Sequence, residues 1–441
     1  MKKILFLIQA IIIVNSYFGQ TALSQYIFQG HQKDSIKDYR GAIADFTRAI
    51  DLAPDDAGLY FKRAMAKYSL EDFAGSILDF NKAIELKPND EYYNERGRSK
   101  HQLNDFNGAI TDFTKAIELD YKSKNYYYNR GLSKQELKDY NSAIIDYTKA
   151  IELDPNEGDY FDDRGDSKYE LKDYKGAIDD LNEAIKLNPN NGDYYNHRGI
   201  AKNELKDHKG AVEEYKKAIK LNPKEDDYYN NRGVSKYDLK DYKSAISDYT
   251  KAIELDPNES ITYYNRGNAK YELKDYYGAI KDHTKAIELD STDADYFYER
   301  GNAKDELENY KGAIDDYTQA IQLNANDAQY FNNRGLSKYN LNDFANSILD
   351  YTKAIDLHST DENFYYNRGL AKQELKEYAE AISDFTRAIE LNPYDGDFYY
   401  NRGNAKDESN NKRGACLDWE KARVLGNKDV KSIYKGYCNN Q

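Results

Sequence analysis

The chain has 441 residues, a net charge of −14, two cysteines, seven prolines and 44 tyrosines. The acidic balance argues against a nucleic-acid backbone or an anionic membrane as main partner and leaves basic or neutral partners open. There is enough apolar and aromatic mass for a continuous core, which argues against disorder.

At the N-terminus, Lys2 and Lys3 precede an apolar run from Ile4 to Val14, too short to span a bilayer comfortably. Small residues follow, and Ala22-Leu23-Ser24 fits a small-x-small cleavage pattern. Residues 1–24 are therefore expected to be a signal peptide, cut between Gly19 and Ser24, which makes the chain exported (periplasmic or secreted). An uncleaved interfacial anchor, or a cytosolic chain if the run is misread, is the alternative. No later segment is apolar enough to cross a membrane.

A thirty-four-residue beat follows. Alanine stands at Ala49, Ala83, Ala116, Ala150, Ala184 and Ala218, then at Ala252, Ala286, Ala320, Ala354, Ala388 and Ala422. Length alone would suggest roughly three domains. The repeat replaces that expectation with one array of twelve units over 25–429, a solenoid in which each unit buries its apolar face only against its neighbours.

The fourth unit, Lys124 to Asn156, shows the internal order. Tyr127, Gly131 and Lys134 lie at helical spacing, with Leu137 one turn on. A break at Lys138-Asp139-Tyr140 comes next. Ala143, Ile144, Tyr147, Ala150, Ile151 and Leu153 then form a second helix with a wide apolar face. Asp139 is placed to cap that helix, and Asp154-Pro155-Asn156 ends it. All seven prolines share that position. The unit is two antiparallel helices, and the fold class is all-α.

Fixed columns run through the units. Glycine recurs at Gly131 and its equivalents, and a mid-helix glycine costs about 1 kcal/mol against alanine. That repeated cost predicts that the two helix backbones touch there. A ring column passes through Phe46, Phe80, Phe113, Tyr147 and Tyr215, is broken at Leu181 and His283, and ends at Trp419. Arginine precedes the glycine from Arg63 to Arg402, lysine follows four residues after the arginine, and an acid stands on the second helix from Asp45 to Asp418. Two cations and one acid per unit predict a ladder of ion pairs between helices, which sets registry more than it adds stability. The other reading is a charged strip that holds a ligand.

At the C-terminal end, Ser409 and Lys412 replace core residues, and Val430, Ile433, Tyr434, Tyr437 and Cys438 fall at helical spacing. Residues 430–441 are expected to form a capping helix. Cys416 takes an isoleucine column facing that helix, so Cys416 and Cys438 form either one disulfide or two packed thiols.

Tyr127, Gly131, Ala143, Tyr147, Ala150 and Pro155, with the period and its repetition, resemble the tetratricopeptide repeat. The resemblance implies a right-handed superhelix of helical hairpins whose first helices line a concave groove. It also implies protein–protein interaction as the usual role, with no enzymatic activity and no cofactor. The chain departs from the family in its arginine and lysine columns.

Ligand choice should sit where units differ, on the first-helix face outside the packing columns. In the fourth unit this face carries Tyr128 and Leu132, and in the sixth Asn196 and Ile200. Asn230, Val234 and Tyr237 follow in the seventh, and Tyr264, Asn268 and Tyr271 in the eighth. Tyr298 and Asn302, Asn332 and Tyr339, and then Tyr366 complete it. Tyrosine and asparagine offer contact area and adaptable hydrogen bonds at low entropic cost, which suits an extended basic or aromatic peptide. A carbohydrate or envelope polymer stacked on the tyrosines is the alternative. By the same resemblance, Tyr128, Asn196, Asn230 and Tyr264 stand where a lysine clamp for acidic chaperone tails would need its lysine, so that ligand is excluded. The six histidines occupy six different places in the unit, and no metal-ligand spacing, phosphate loop or nucleophile constellation is present.

Overall fold

A computed structural model describes residues 20–430 and Cys438. Most of the expected signal peptide, and Ile433, Tyr434 and Tyr437 of the expected capping helix, lie outside the described residues. The chain divides into two compact units, 1–223 and 224–441. In the first, helices run from one covering 20–35 through Tyr39–Leu52 and Ala57–Ser69 to His208–Leu221. In the second they run from Asp226–Asp238 to Lys412–Val424. Among the described residues there is no strand, and no helix is long and apolar enough to cross a membrane.

The fourth repeat shows why this sequence folds as a hairpin. Its first helix is Lys124–Glu136 and its second is Tyr140–Leu153. Between them Lys138 adopts the left-handed conformation with φ 60°. Its N–H donates to the Gln135 carbonyl at 2.8 Å, and the Asp139 N–H reaches back to the Lys134 carbonyl at 2.9 Å. These two bonds close the end of the first helix in the Schellman pattern. Asp139 then caps the next helix, its carboxylate accepting from the Ser142 N–H. One short turn thus satisfies both helix ends and forces an antiparallel return. Among the described residues the same left-handed turn residue recurs twelve times, from Lys37 to Asn410, and none of the twelve is glycine.

The second helix buries Ala143, Asp146, Tyr147 and Ala150, while the first buries only Tyr126, Gly131 and Ser133. Within each compact unit a first helix packs on its own second helix and on the second helix of the repeat before it. Burial therefore belongs to the interfaces between helices rather than to one centre.

The glycine column has a different cause from the expected backbone contact. A Cβ on Gly131 would lie 2.7 Å from Cε1 of Tyr147, so the ring column rests directly on the glycine. In the fifth repeat, where Leu181 replaces the ring, the nearest atoms to a Cβ on Gly165 are the Ala177 carbonyl oxygen at 3.4 Å and Leu181 Cγ at 3.5 Å. The first-helix glycine makes room for an aromatic side chain sixteen residues later.

Candidate functional site

The fixed charges are consumed internally. Arg130 holds Asp146 through two bonds, Nε to Oδ2 at 2.9 Å and Nη2 to Oδ1 at 2.7 Å. Lys134 Nζ meets the same carboxylate at 2.7 Å, and Asp146 is buried. The remaining Arg130 nitrogen, Nη1, donates to Thr114 on the second helix of the preceding repeat at 3.1 Å. The guanidinium also lies over the Tyr127 ring, 5.7 Å from its centroid. The same triad joins Arg164, Lys168 and Asp180 in the fifth repeat. In the sixth the acid is Glu214. Burial pushes that carboxyl up, but hydrogen bonds and charges from Lys202 and Arg198 outweigh burial and hold it low. The expected ion-pair ladder is present, and it leaves no free charged strip from these columns.

The expected ligand face is largely the seam between successive first helices. Tyr128 is half-buried between Tyr147 and Tyr160, with ring centroids 5.9 and 4.7 Å away, and its hydroxyl donates to Asp163 at 2.7 Å. In the second compact unit Tyr298 lies between Tyr317 and Tyr330, and Tyr366 between Phe385 and Phe398. Their hydroxyls accept from Asn333 at 2.9 Å and Asn401 at 3.0 Å. Tyr264 takes the same place between His283 and Tyr296. Tyr237, Tyr271 and Tyr339 each pack against the ring that opens the following helix, Tyr242, Tyr276 and Phe344 respectively.

The asparagines follow the same rule. Asn230 and Asn332 accept from Asn265 and Asn367 across the seam, and Asn302 accepts from both Tyr317 and Asn333. Asn196 and Asn332 are buried, which corrects their place on an open face: a first helix must cover its neighbour, and these two side chains lie in that cover. Leu132, Ile200, Val234 and Asn268 are half-buried at the same seam. Tyrosine faces already packed against neighbouring rings are poorly disposed to stack sugars.

The fifth repeat differs. Its equivalents of Tyr128 and Tyr147 are Asp162 and Leu181, so two rings are missing together. A pocket of about 410 Å³ opens there, lined by the buried Gly165, Ala177, Leu181 and Ala201. Asp166, Tyr169, His197 and Ile200 line it, with Glu136 and Tyr140 on the side of the preceding repeat.

Beside the pocket, His197 Nδ1 lies 2.9 Å from Asp162 and 3.7 Å from Asp166. Burial alone would lower the His197 pKa, but the bond to Asp162 and the charges of both acids push it up to about 9. Burial pushes Asp166 up to about 6 against the pull of His197. Burial also pushes Asp163 up to about 7, opposed by the Tyr128 hydroxyl and helped by its acidic neighbours. The ligand atoms of Asp162, Asp166 and His197 fall within 4.8 Å of one another, a span a cation could bridge. Binding a metal would require the neutral imidazole; as the three groups stand, the two acids favour the imidazolium and form an ion pair with it. Spacing along the chain hides this cluster because His197 comes from the next repeat. The legible signal is the coincidence of Asp162, Asp166 and Leu181 within one unit.

Cys416 and Cys438 are joined by a disulfide, their Cα atoms 5.7 Å apart. Both pack on the cluster of Ala415, Trp419, Ala422 and Val430.

Family models agree with this architecture. Models described as tetratricopeptide repeat match residues 36–91, 91–123, 125–157, 227–259, 260–293, 298–362 and 363–395. A model described as TPR repeat matches 165–206 and 201–240. No curated protein matches the chain. Among solved structures, the APC/C hetero-tetramer Cut9-Hcn1 aligns over 94% of this chain and 96% of its own at 13% identity, with a TM-score of 0.45. Yeast Tom70 aligns over 96% of both chains at 19% identity, with a TM-score of 0.37. A tetratricopeptide repeat protein from Parabacteroides merdae ATCC 43184 aligns over 55% of this chain and 97% of its own at 20% identity, with a TM-score of 0.43. The matched stretches cover most of the helix pairs, and the chain belongs to the tetratricopeptide repeat family.

Proposed function

We propose that this chain is a non-enzymatic scaffold that holds a protein or extended peptide on its first-helix side, outside the cytoplasm. The observation that carries the reading is the separation of roles among its residues. Arginine, lysine, acid, glycine and ring columns are spent on holding repeats together, and variation is left to the first-helix side, where half-buried seam residues differ from unit to unit. A surface that varies from unit to unit on a constant frame is suited to selecting a partner. The net charge of −14 favours a neutral or basic one.

Export rests on the basic and apolar start of the chain, and a disulfide between Cys416 and Cys438 suits an oxidising compartment. Crosslinking in the native host followed by mass spectrometry tests the scaffold reading. The expected result is a small set of proteins joined to first-helix residues; crosslinks spread evenly over both helices would overturn it. Intact mass of the mature chain without reductant tests export. It is expected to show loss of the first 19–24 residues and two hydrogens fewer than the dithiol.

A further inference from the structure

We propose that the pocket beside Leu181 receives an aromatic ring from a bound partner, and that Asp166 accepts a hydrogen bond from a donor on that ring. The inference deepens the scaffold reading, since it names what one part of the first-helix side recognises.

In other repeats a ring fills the same place. In the seventh repeat the ring of Tyr249 packs against Ala245 and Ala269, and a Cβ added at Gly233 would lie only 2.6 Å from it. In the eleventh, Phe385 packs against Ala381 and Ala405. The equivalents in the fifth repeat are Gly165, Ala177 and Ala201, and all three line the pocket. The small residues that accommodate a ring are therefore in place, and the ring is not: Leu181 reaches into the site without a planar group to cover them. The pocket, about 410 Å³, lies within the roughly 300–1,000 Å³ of ordinary ligand sites.

Asp166 supplies the polar half. It is the residue immediately after the glycine. In the ninth and twelfth repeats that position is Asn302 or Asn404, and each accepts from the ring of its own column. Tyr317 donates its hydroxyl to Asn302 at 2.9 Å, and Trp419 donates Nε1 to Asn404 at 3.0 Å. In the fifth repeat the acceptor is a carboxylate, and Leu181 leaves the ring column without a donor for it. His197 faces Asp166 only at 3.7 Å. Glu136 and Glu170 at the rim, with Asp166, offset the cations Lys138 and His197, so a neutral or weakly cationic donor is favoured over an anion. The chemistry described is that of a tyrosine or tryptophan side chain on the partner.

The test uses the full chain and a probe that contains no peptide. p-Cresol, the side chain of tyrosine, is titrated by ligand-observed NMR at millimolar concentrations, with 4-methylanisole as the ring lacking a donor. Saturable p-cresol binding several-fold tighter than that of 4-methylanisole is expected. Leu181→Tyr returns the ring to the column and should weaken p-cresol binding at least tenfold while raising the melting temperature. Leu181→Phe provides the same block if the tyrosine variant folds poorly. Asp166→Ala should erase the preference for p-cresol over 4-methylanisole. Absence of saturable binding, or unchanged binding in both Leu181 variants, overturns the proposal; equal affinity of the two probes for the wild-type chain overturns the role of Asp166. None of these outcomes bears on crosslinked partners, so the pocket and the scaffold reading fail separately.

Discussion

In the fourth repeat the ring of Tyr147 lies on Gly131 and donates its hydroxyl to Gln135 at 2.6 Å. In the fifth the same place behind Gly165 holds Leu181 and an open pocket. Around both, the frame is unchanged: the turn residues Lys138 and Lys172 have φ of 60° and 63°, and the acids Asp146 and Asp180 hold the same two cations. One repeat can thus lose its central ring without disturbing the hairpin. Registry comes from the ion triads and turns, and the ring position is free to be filled or left hollow.

That division predicts that the triad matters equally in both repeats. Asp146→Ala and Asp180→Ala each leave an arginine and a lysine without their buried counter-charge. Each should cost about 3–5 kcal/mol locally, as for other broken buried pairs. Hydrogen exchange of the two second helices measures this repeat by repeat. A much smaller loss at Asp180 would show that the hollow repeat has also relaxed its frame.

The eighth repeat departs in a third way, with His283 in the ring column. Its ring is fully buried and neither nitrogen has a hydrogen-bond partner among the described residues; the Oδ1 of Asn268 is likewise buried without one. Burial, which outweighs the Asp282 charge, pushes the His283 pKa down to about 4. A depressed imidazole pKa means that the unfolded chain takes up the proton first. Stability from this site is therefore intact above pH 6.5, falls as pH drops through that value, and levels off below about 4, a span of about 3 kcal/mol. His283→Phe should flatten that part of the stability–pH curve. The raised pKa values of Asp163 and Asp166 act in the opposite direction, with stability lost as pH rises from the ordinary carboxylate range and the loss complete above about 6–7. The difference between wild-type and variant melting curves isolates the histidine.

The fourth repeat can be made to resemble the fifth. Tyr147→Leu removes the ring and its bond to Gln135 and should cost about 2–4 kcal/mol, in the range of other large-to-small core changes. Denaturant titration with exchange on Tyr140–Leu153 reads it. A cost near zero would mean that neighbours collapse into the space, and the pocket at Leu181 would then be a property of its own surroundings.

Much of this was legible in the amino-acid order. The period, the Asp139 cap, the proline stops and the Arg–Lys–Asp columns are local or strictly repeated, so they survive as pattern. The role of Gly131 was not legible, because what it accommodates lies sixteen residues away on another helix. The face carrying Tyr128, Asn196 and Asn332 was legible as a face but not as a seam. Helical spacing says which side a residue is on and nothing of how closely the next helix covers it. His197 and its acids were hidden for the same reason: the triad of Asp162, Asp166 and His197 spans two repeats, and only folding brings 162 and 197 together. The break at Leu181 was visible, but a missing ring reads as tolerance until the space it leaves is seen.

The smallest expected effect separates the two repeats by sign. Alanine is favoured over glycine within a helix by about 1 kcal/mol when the added methyl has room. At Gly165 a Cβ would meet nothing closer than 3.4 Å, an ordinary contact, so Gly165→Ala should stabilise the chain by up to about 1 kcal/mol. At Gly131 the methyl would meet the Tyr147 ring at 2.7 Å, and that ring is fully buried with its hydroxyl engaged. Shifting it costs about 1–3 kcal/mol, as overpacking of a core does, which exceeds the helical gain. The second repeat shows that the conflict can be absorbed at some sites, because Ala64 stands in the glycine column opposite Phe80. Phe80 has no hydroxyl to hold it, whereas Tyr147 is anchored at both ends. Gly131→Ala should therefore lower the melting temperature and Gly165→Ala raise it. In the double background Gly131→Ala with Tyr147→Leu, the alanine should become favourable, since the ring it collides with is gone. If alanine stays unfavourable there, the glycine column answers to the helix backbones after all.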